Sequence, residues 1–264
     1  MVQTTPPRRW RATSWRELLG LGVGLLLAPW VAALSRFRRA RMFHPVGRTF
    51  GARVEAQPGL SAEWRELASR VEGAALLRFS GALFRSDDER LEVLGVALRL
   101  HGAENPALER ESQTQDLLFA TIRSPLTMPF APLTTDARDY FANRYWAVSP
   151  FDVGLPRHVK FRLSPSEGTR QAARRYRNLP RNQALAVAVG QEDATLQLEA
   201  RYTFDPAWCA LATLRLTGPL DIDQEALRFD PFRTGRGIVP SGFVHALRVA
   251  CYAASQRARP RRAH

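Results

Sequence analysis

The sequence predicts an α+β protein built on an antiparallel β-barrel, with flanking helices and a helix near the C-terminal end. Short runs with partial period-two alternation of apolar residues recur from about residue 43 onward, and Gly, Pro, Asn or Asp bound them as they bound strands. Most of these runs follow one another at hairpin-scale spacing. That spacing favours an antiparallel sheet or closed barrel over alternating strand and helix units.

Six segments carry the strand pattern. In chain order they are ALLRFSGALF, LGVALRLHG, QDLLFATI, HVKFRLSP, ALAVAVG and TLQLEARYTF. The segment WRELASRVEG predicts a short helix that ends at Gly73, because glycine commonly terminates helices. A last helix is predicted from about Gly242 to Arg259, since Pro240 and Ser241 favour a helix start and no helix breaker occurs before Pro260.

Composition limits the architecture and excludes several classes of function. A chain of 264 residues with 45% apolar composition buries one sizeable core, and one compact domain is the default expectation. Its two cysteines, Cys209 and Cys251, have neither metal-ligand spacing nor a disulfide framework. The sequence contains no nucleophile elbow and no phosphate-binding glycine loop, which argues against Ser-His-Asp hydrolases and nucleotide-binding enzymes.

The net charge of +13 comes almost entirely from arginine, because Lys160 is the single lysine. Such a bias is typical of codon usage, so we interpret the charge as a matter of solubility and association rather than of fold. The basic ends, PPRRWRATSWR and SQRARPRRAH, have the charge to contact nucleic acid or anionic lipid. No aromatic ladder or base-reading motif accompanies them, so solvated tails are favoured and nucleic acid is not an expected partner.

The N-terminal region divides into a basic tail and an apolar segment. Residues 1–14 are predicted to be disordered, and residues 15–40 to form an apolar helix in which 18–34 carry no charge. At about 1.5 Å per residue the uncharged segment would reach about 25 Å, slightly less than a bilayer core. Three interpretations stay open: a membrane anchor, an export signal, or a helix packed on the protein body. We favour membrane association as the localisation, with a cytoplasmic or exported protein as the alternatives.

The predicted C-terminal helix places a tyrosine between arginines. Residues four apart share a helix face, so Arg248 and Tyr252 form a row that Arg259 continues. Two guanidinium groups beside a phenol stabilise its anionic form, which is a hard ligand suited to ferric iron. Taken alone, the segment favours a partly buried amphipathic helix whose arginines reach solvent.

The same residues resemble a known signature. Arg248, Tyr252, Gln256, Arg257 and Arg259 follow the proximal-helix pattern of haem catalases, and the preceding run FDPFRTGRGIVPS resembles the approach to that helix. The resemblance implies haem b as cofactor, with Tyr252 as the axial ligand of the iron. It further implies that Arg248 stabilises the phenolate and that Arg259 pairs with a haem propionate.

A second group of segments resembles the distal side of catalases. In RARMFHPVGRTFGARVE, Arg41 lies three residues before His44, with the spacing of the segment that carries the distal histidine. Arg78, Phe79 and Ser80 resemble the catalase Arg-Phe-Ser. The resemblance implies that His44 is the distal acid–base residue, that Arg41 and Arg78 bind the cofactor, and that Ser80 orients the histidine.

Two further segments, VLGVALRL and HVKFRLSPSEG, resemble catalase strands, and all the matches occur in the family's order. The chain is therefore identified as a member of the haem catalase-like superfamily, most like its small catalase-related peroxidases. This implies a haem domain over residues 41–259, followed by a basic tail at 260–264. Hydrogen peroxide or organic, including lipid, hydroperoxides are the implied substrates, and a homo-oligomer is compatible with the resemblance.

One departure from the family pattern affects the chemistry. Catalases carry paired asparagines where QDLLFATIRSP has Ala120 and Thr121, and the first asparagine helps to hold peroxide. An alanine side chain donates no hydrogen bond, so poor catalase turnover is expected; Thr121 would have to act through a water molecule.

Two alternatives stay open at this point. His245 lies seven residues before Tyr252, on the same helix face, and Cys251 is the residue directly before Tyr252. Either side chain would compete with Tyr252 as the iron ligand. The second alternative is a catalase-type barrel that has lost haem chemistry and acts as a membrane-tethered binding module.

Overall fold

A computed structural model describes most of the chain between residues 47 and 246. The described ranges are 47–82, 91–101, 113–191, 194–220, 227, 229–243 and 245–246, preceded by the helical residues 15, 18–19 and 21–23. Predicted site residues His44 and Tyr252 lie outside these ranges, as do Arg41, Arg248 and Arg259.

The sheet of the described part has strands with the following bounds: β1 Gly47–Ala56, β2 Gly73–Gly81, β3 Leu94–Leu100, β4 Gln115–Ala120, β5 Tyr145–Trp146, β6 Phe151–Asp152, β7 Val159–Pro165, β8 Thr195–Tyr202, β9 Cys209–Pro219 and β10 Val239–Pro240. Eight of these strands are antiparallel and form a closed barrel. Their order around the barrel is β7-β5-β4-β3-β2-β1-β9-β8, and β8 pairs back with β7 to close it. The two short strands β6 and β10 extend the sheet from β7.

Alternation along each strand separates an inner face from an outer face. In β2, Leu77 and Phe79 are completely buried inside the barrel. Leu77 pairs with Phe50 and Leu98. Phe79 pairs with Val96 of β3 and, at the start of β1, with Arg48. The ring of Phe79 packs edge-on against Tyr140 and Phe141, with centroids 5.3 and 5.9 Å apart. Because Phe79 is fixed inside, its neighbours Arg78 and Ser80 must lie on the outer face.

Short helices follow and cover the strands. Their bounds are α1 Ala62–Val71, α2 Ala131–Thr134, α3 Glu167–Arg174 and α4 Arg181–Gly190, with 3-10 turns at Pro125–Phe130 and Tyr140–Ala142. The predicted helix WRELASRVEG is confirmed as α1, which buries Leu67, Ala68 and Val71. Its end is followed by Gly73 with φ of 118°, a conformation that other residues rarely adopt.

One predicted strand is wrong and five strands were not predicted. The run ALAVAVG lies in α4, where the buried side chains include Leu185, Ala188 and Val189, spaced three and four apart as on one helix face. Alternating Ala and Val satisfy both periods, so the local pattern did not distinguish them. Two of the unpredicted strands, β1 and β9, pair with each other although they lie far apart in the sequence. The other three, β5, β6 and β10, have two residues each.

The chain divides into two compact units. One comprises Met1–Arg39 with Ser241–His264, and the other comprises Ala40–Pro240. In the first unit, residues 243, 245 and 246 are helical and the amide of Ala246 bonds to the carbonyl of Gly242 at 3.1 Å. The rest of the predicted last helix lies outside the described residues, so its extent to Arg259 stays a prediction. Among the residues that the structure describes, no helix is long and apolar enough to cross a membrane.

Candidate functional site

The outer ends of four neighbouring strands form a row of small residues. Gly47 of β1 pairs with Ser80 of β2, Ser80 pairs with Gly95 of β3, and Gly95 pairs with Ala120 of β4. All four therefore share the outer face of the barrel. Ser80 is flanked by glycine on both sides, and its hydroxyl is the longest side chain of this row. No side chain larger than that of Ser80 therefore projects from these four positions, and Trp146 of β5 pairs with Ala120 at the far end of the row.

A second row, one step further along the strands, contributes a buried cation. Arg78 pairs with Thr49 of β1 and with Ala97 of β3, and Ala97 pairs with Leu118 of β4. Arg78 is only 4% exposed and Ser80 only 3%. Arginine is rarely buried this deeply. Arg78 therefore places a buried cation on the same outer face as Ser80.

Gly47 sets the position of the Arg78 guanidinium. A Cβ atom at residue 47 would lie 2.7 Å from Cζ of Arg78 and 2.6 Å from the carbonyl oxygen of Phe79. The guanidinium therefore lies directly over the glycine, where any side chain would displace it. The sequence pattern named Arg78 and Ser80 but gave no role to this glycine, whose absence of a side chain is what admits the arginine.

The two residues that replace the asparagines of catalases have different surroundings. Ala120 lies on the outer face in the row of Ser80, and its methyl group is half-buried. The hydroxyl oxygen of Thr121 accepts a hydrogen bond from the amide of Leu94 at 3.2 Å and one from Thr135 at 2.7 Å. Thr121 thus ties the end of β4 to β3 and to the segment after α2, and Ala120 is the one of the two that lies on the outer face with Ser80.

Buried charged groups support the same end of the barrel, and the sequence analysis missed them. Glu92, fully buried, accepts hydrogen bonds from the amides of Ala82 and Val93 at 3.1 and 2.8 Å. A Cβ atom at Gly81 would lie 2.8 Å from Oε2 of Glu92 and 3.4 Å from Nη2 of Arg181, so the two charged groups face the same small space. The position of Glu92 just before β3 is the one feature of the local sequence that could have pointed to it.

Arg181 and two tyrosines complete this support. The guanidinium of Arg181 donates to the carbonyl of Ala137 at 2.5 Å and lies 5.2 Å from the ring centre of Tyr140. The hydroxyl of Tyr145 donates to the carbonyl of Tyr140 at 2.6 Å. Burial raises the pKa of Tyr145 well above its usual value of 10.0, so this phenol stays protonated. It serves the fold as a hydrogen-bond donor.

Three of the catalase-like segments meet at the start of β4. The carboxylate of Asp116 forms a two-pronged ion pair with Arg99 of β3, at 2.8 and 2.9 Å. Its Oδ2 also accepts the amide of Asp230 at 2.7 Å, and the Arg99 guanidinium lies 4.9 Å from the ring centre of Phe229. Burial raises the pKa of Asp116, and the bonds and charge of Arg99 oppose that rise. The run FDPFRTGRGIVPS is therefore fastened to β3 and β4.

Further hydrogen bonds hold the run FDPFRTGRGIVPS to the start of β4. Gln115 donates to the carbonyl of Arg233 at 3.0 Å and accepts the amide of Ile238 at 3.3 Å, and the amide of Gly235 bonds to the carbonyl of Thr114 at 2.9 Å. These bonds fix the chain up to β10, directly before the predicted proximal helix.

Known structures include one with the same architecture. A bacterial catalase is similar to the chain with a TM-score of 0.59 at 15% sequence identity, over 98% of this chain and 63% of that one. The chain has a catalase-like fold. No protein-family model matches the sequence, and no curated protein does. The likeness therefore establishes the fold alone, and the chain spans less than two thirds of the length of that catalase.

Two features of the described part of the barrel are compatible with a haem group. A flat ligand with carboxylate substituents would need small neighbouring residues and a cation, and the outer face carries the glycine-flanked row and the buried Arg78. Ala120, on the same face, presents a methyl group and no hydrogen-bond donor. Among the described residues no group of His, Cys, Asp and Glu side chains has the arrangement of a metal site.

Several predicted residues cannot be placed in this geometry. His44, Arg41, Arg248, Tyr252 and Arg259 lie outside the described residues, so their roles stay predictions. The alternative ligand Cys251 lies outside them too. His245 is described; it belongs to the first compact unit, and its side chain is buried.

Proposed function

We propose that this chain binds haem b and uses it to react with hydrogen peroxide or organic hydroperoxides. The observation that carries the proposal is the pair of buried polar residues, Arg78 and Ser80, on one glycine-flanked outer face of a catalase-like barrel. These are the residues for which the sequence resemblance implies a propionate contact and a hydrogen bond to the distal histidine.

Each residue has a distinct task in this proposal. Tyr252 would hold the iron through its phenolate, Arg248 would keep the phenol ionised, and Arg41, Arg78 and Arg259 would bind the cofactor. Haem, when bound, would supply the redox chemistry of peroxide reduction. The imidazole of His44 would take up a proton from one peroxide oxygen and donate it to the other. Ser80 would hold that imidazole in the orientation it needs.

Ala120 directs the choice of substrate. Loss of one positioning donor costs about two to three orders of magnitude in rate, so rapid disproportionation of hydrogen peroxide is not expected. A hydroperoxide with an apolar chain is positioned through that chain as well as through its oxygens. The half-buried Ala97, Leu118 and Ala120 beside Ser80 suit such a chain, which favours organic and in particular lipid hydroperoxides.

A haem titration of the purified full chain tests cofactor binding. We expect a Soret band with the features of tyrosinate-ligated ferric iron, and we expect Tyr252→Phe to abolish those features. Tyr176→Phe serves as the matched control, because Tyr176 is packed beside α3 in the barrel unit. A spectrum without a Soret band at saturating haem would contradict the proposal.

Restoring the missing donor tests the chemistry. Ala120→Asn should raise hydrogen peroxide turnover of the haem-loaded protein by about a hundredfold, and His44→Ala should slow every hydroperoxide reaction observed. Turnover that is unchanged in Ala120→Asn would show that residue 120 does not face bound peroxide. Consumption of hydrogen peroxide without any consumption of fatty-acid hydroperoxides would refute the lipid substrate.

The methyl group of Ala120 also favours a second function. A barrel that has lost haem chemistry would have no need of a donor at this position, and it would act as a membrane-tethered binding module, held by the apolar segment 18–34. The same titration separates the two functions, since the module predicts a featureless visible spectrum.

A further inference from the structure

Lys160 is the single lysine among the 38 basic residues of the chain, and it lies in the wall of the barrel. The side chains of Val159 and Phe161 are completely buried inside, so Lys160 between them points to the outer face, where it is half-buried. A lysine amine differs from a guanidinium because it can lose its proton and act as a nucleophile. The surroundings of Lys160 decide whether that chemistry is available.

The residue opposite Lys160 is a second cation that is fixed in place. Lys160 pairs in register with Arg201 of β8, and residues opposite each other in an antiparallel ladder have Cβ atoms about 4.5–5.5 Å apart. Nη1 of Arg201 donates to the carbonyl of Asp205 at 2.7 Å, and its Cζ lies 4.7 Å from the ring centre of Trp208. Like charges that face each other destabilise a ladder, and an anion bound between them would relieve the repulsion.

The neighbouring ladder position shows how this face holds a carboxylate. Arg162 donates two hydrogen bonds to the carboxylate of Glu199 at 2.6 Å each, and Ser164 donates a third at 2.5 Å. Within the described part of the chain, Lys160 has no hydrogen bond or ion pair, and Nε of Arg201 is buried without an acceptor. Lys160 and Arg201 thus present donors to which no carboxylate of the described residues is bound.

Burial lowers the pKa of Lys160 below its usual 10.5, and the charge of Arg201 lowers it further. The other titratable groups along this face of β7 and β8 are His158, which is exposed, and the paired Arg162 and Glu199. Each unit by which the pKa falls increases the unprotonated amine at neutral pH about tenfold. Lys160 is therefore a better nucleophile than an exposed lysine.

We propose that Lys160 forms an imine with aldehydes that carry a carboxylate group, and that Arg201 binds this carboxylate. The amine nitrogen attacks the carbonyl carbon, a carbon–nitrogen double bond forms, and the carbonyl oxygen leaves as water with the two hydrogens of the neutral amine. No electron is transferred in this step. The site is therefore independent of haem, and it stands whether or not the proposed peroxide chemistry does.

Two aldehydes that differ in charge test the site. The full-length chain is incubated at neutral pH with 4-formylbenzoate or with its methyl ester, the imine is reduced with cyanoborohydride, and peptide mass separates modification of Lys160 from that of the terminal amine. We expect 4-formylbenzoate to modify Lys160 at least about tenfold faster than the ester does, because only the acid offers a carboxylate to Arg201.

The matched control moves the single lysine to an exposed position. A chain with Lys160→Arg and Arg174→Lys has the same charge, and residue 174 is exposed at the end of α3. Its lysine should be modified by 4-formylbenzoate at least about tenfold more slowly than Lys160, because an exposed amine is almost fully protonated at neutral pH. It should also show no preference for the acid over the ester.

Arg201→Met tests the partner directly. This variant keeps Lys160, and we expect it to lose the preference for the acid over the ester. Circular dichroism checks that it is folded; if it is not, the comparison of the two aldehydes at Lys160 and at the moved lysine decides alone.

Three outcomes would overturn the proposal. The moved lysine reacts as fast as Lys160; the acid and the ester modify Lys160 in the same ratio as they modify the moved lysine; or folded Arg201→Met keeps the full preference for the acid.

Discussion

Gly47→Ala is the substitution that tests the geometry of the outer face most directly. The added methyl carbon would lie 2.6 Å from the carbonyl oxygen of Phe79 and 2.7 Å from Cζ of Arg78, whereas ordinary contact begins at 3.4 Å, so the atoms must separate by about 0.8 Å. The carbonyl belongs to the backbone of β2 and cannot rotate away, and therefore β1 must move. Overpacking of this kind costs about 1–3 kcal/mol, and we expect about 2 kcal/mol.

Two measurements follow from this displacement. Urea unfolding should show a lower midpoint with an unchanged slope, equivalent to the loss of about 2 kcal/mol of unfolding free energy. The same shift moves the guanidinium of Arg78 from its place over residue 47. Haem affinity, measured by titration, should therefore fall together with stability.

Gly168→Ala is the control. Gly168 lies in α3, and a Cβ atom there would meet nothing within 4 Å. Alanine is the better helix former by up to about 1 kcal/mol, so this variant should be as stable as the parent or slightly more stable. The reasoning fails if Gly47→Ala unfolds at the same urea concentration as the parent chain and binds haem with the same affinity.

Two further predictions concern buried ion pairs. Arg99→Met leaves the carboxylate of Asp116 buried without its main partner, and we expect it to lower the free energy of unfolding in urea by about 3 kcal/mol. The control is Arg170→Met, which breaks an exposed ion pair and should cost less than about 1 kcal/mol. Equal costs for the two variants would contradict the buried pairing. Burial opposes ionisation of Glu199, but hydrogen bonds from Arg162 and Ser164 outweigh it and hold the pKa of Glu199 below its usual 4.5. Its stabilisation is thus present above that value and is lost as the pH falls through the folded-state pKa. Glu199→Gln should therefore cost about 1 kcal/mol at neutral pH and nothing once Glu199 is protonated; a cost that persists in acid would refute the ionic contribution.

Local patterns predicted most of the barrel but not all of it. Alternation in ALLRFSGALF was sufficient to place β2, and the two-residue spacing of Arg78 and Ser80 put both on one face. The same pattern misplaced ALAVAVG, because alternating alanine and valine occur equally well on a helix that buries one side. In α4 contact with the barrel decided the matter, since Leu185 and Ala188 are buried at helical spacing.

The candidate site was predictable in its residue types and unpredictable in its surroundings. Family order pointed to Arg78, Ser80 and the alanine at residue 120. Nothing local indicated that Thr121 bonds to Leu94 and Thr135. Nor did any local pattern indicate that Glu92 and Arg181 meet beside Gly81. These contacts join residues far apart in the chain, and side-chain periodicity carries no information about them.

By itself the sequence determined where the strands of period two lie, which polar residues alternate with the core, and in what order the catalase-like segments occur. The tertiary structure decided how the eight strands close, which side of each strand becomes the inside, and which motifs touch. The physical reason is that side chains alternate between the two faces along a strand, which is a local property that the sequence pattern displays. Closure and contact depend instead on ladders and ion pairs between distant strands, such as the bonds that hold Gln115 and Asp116 to the chain around Arg233.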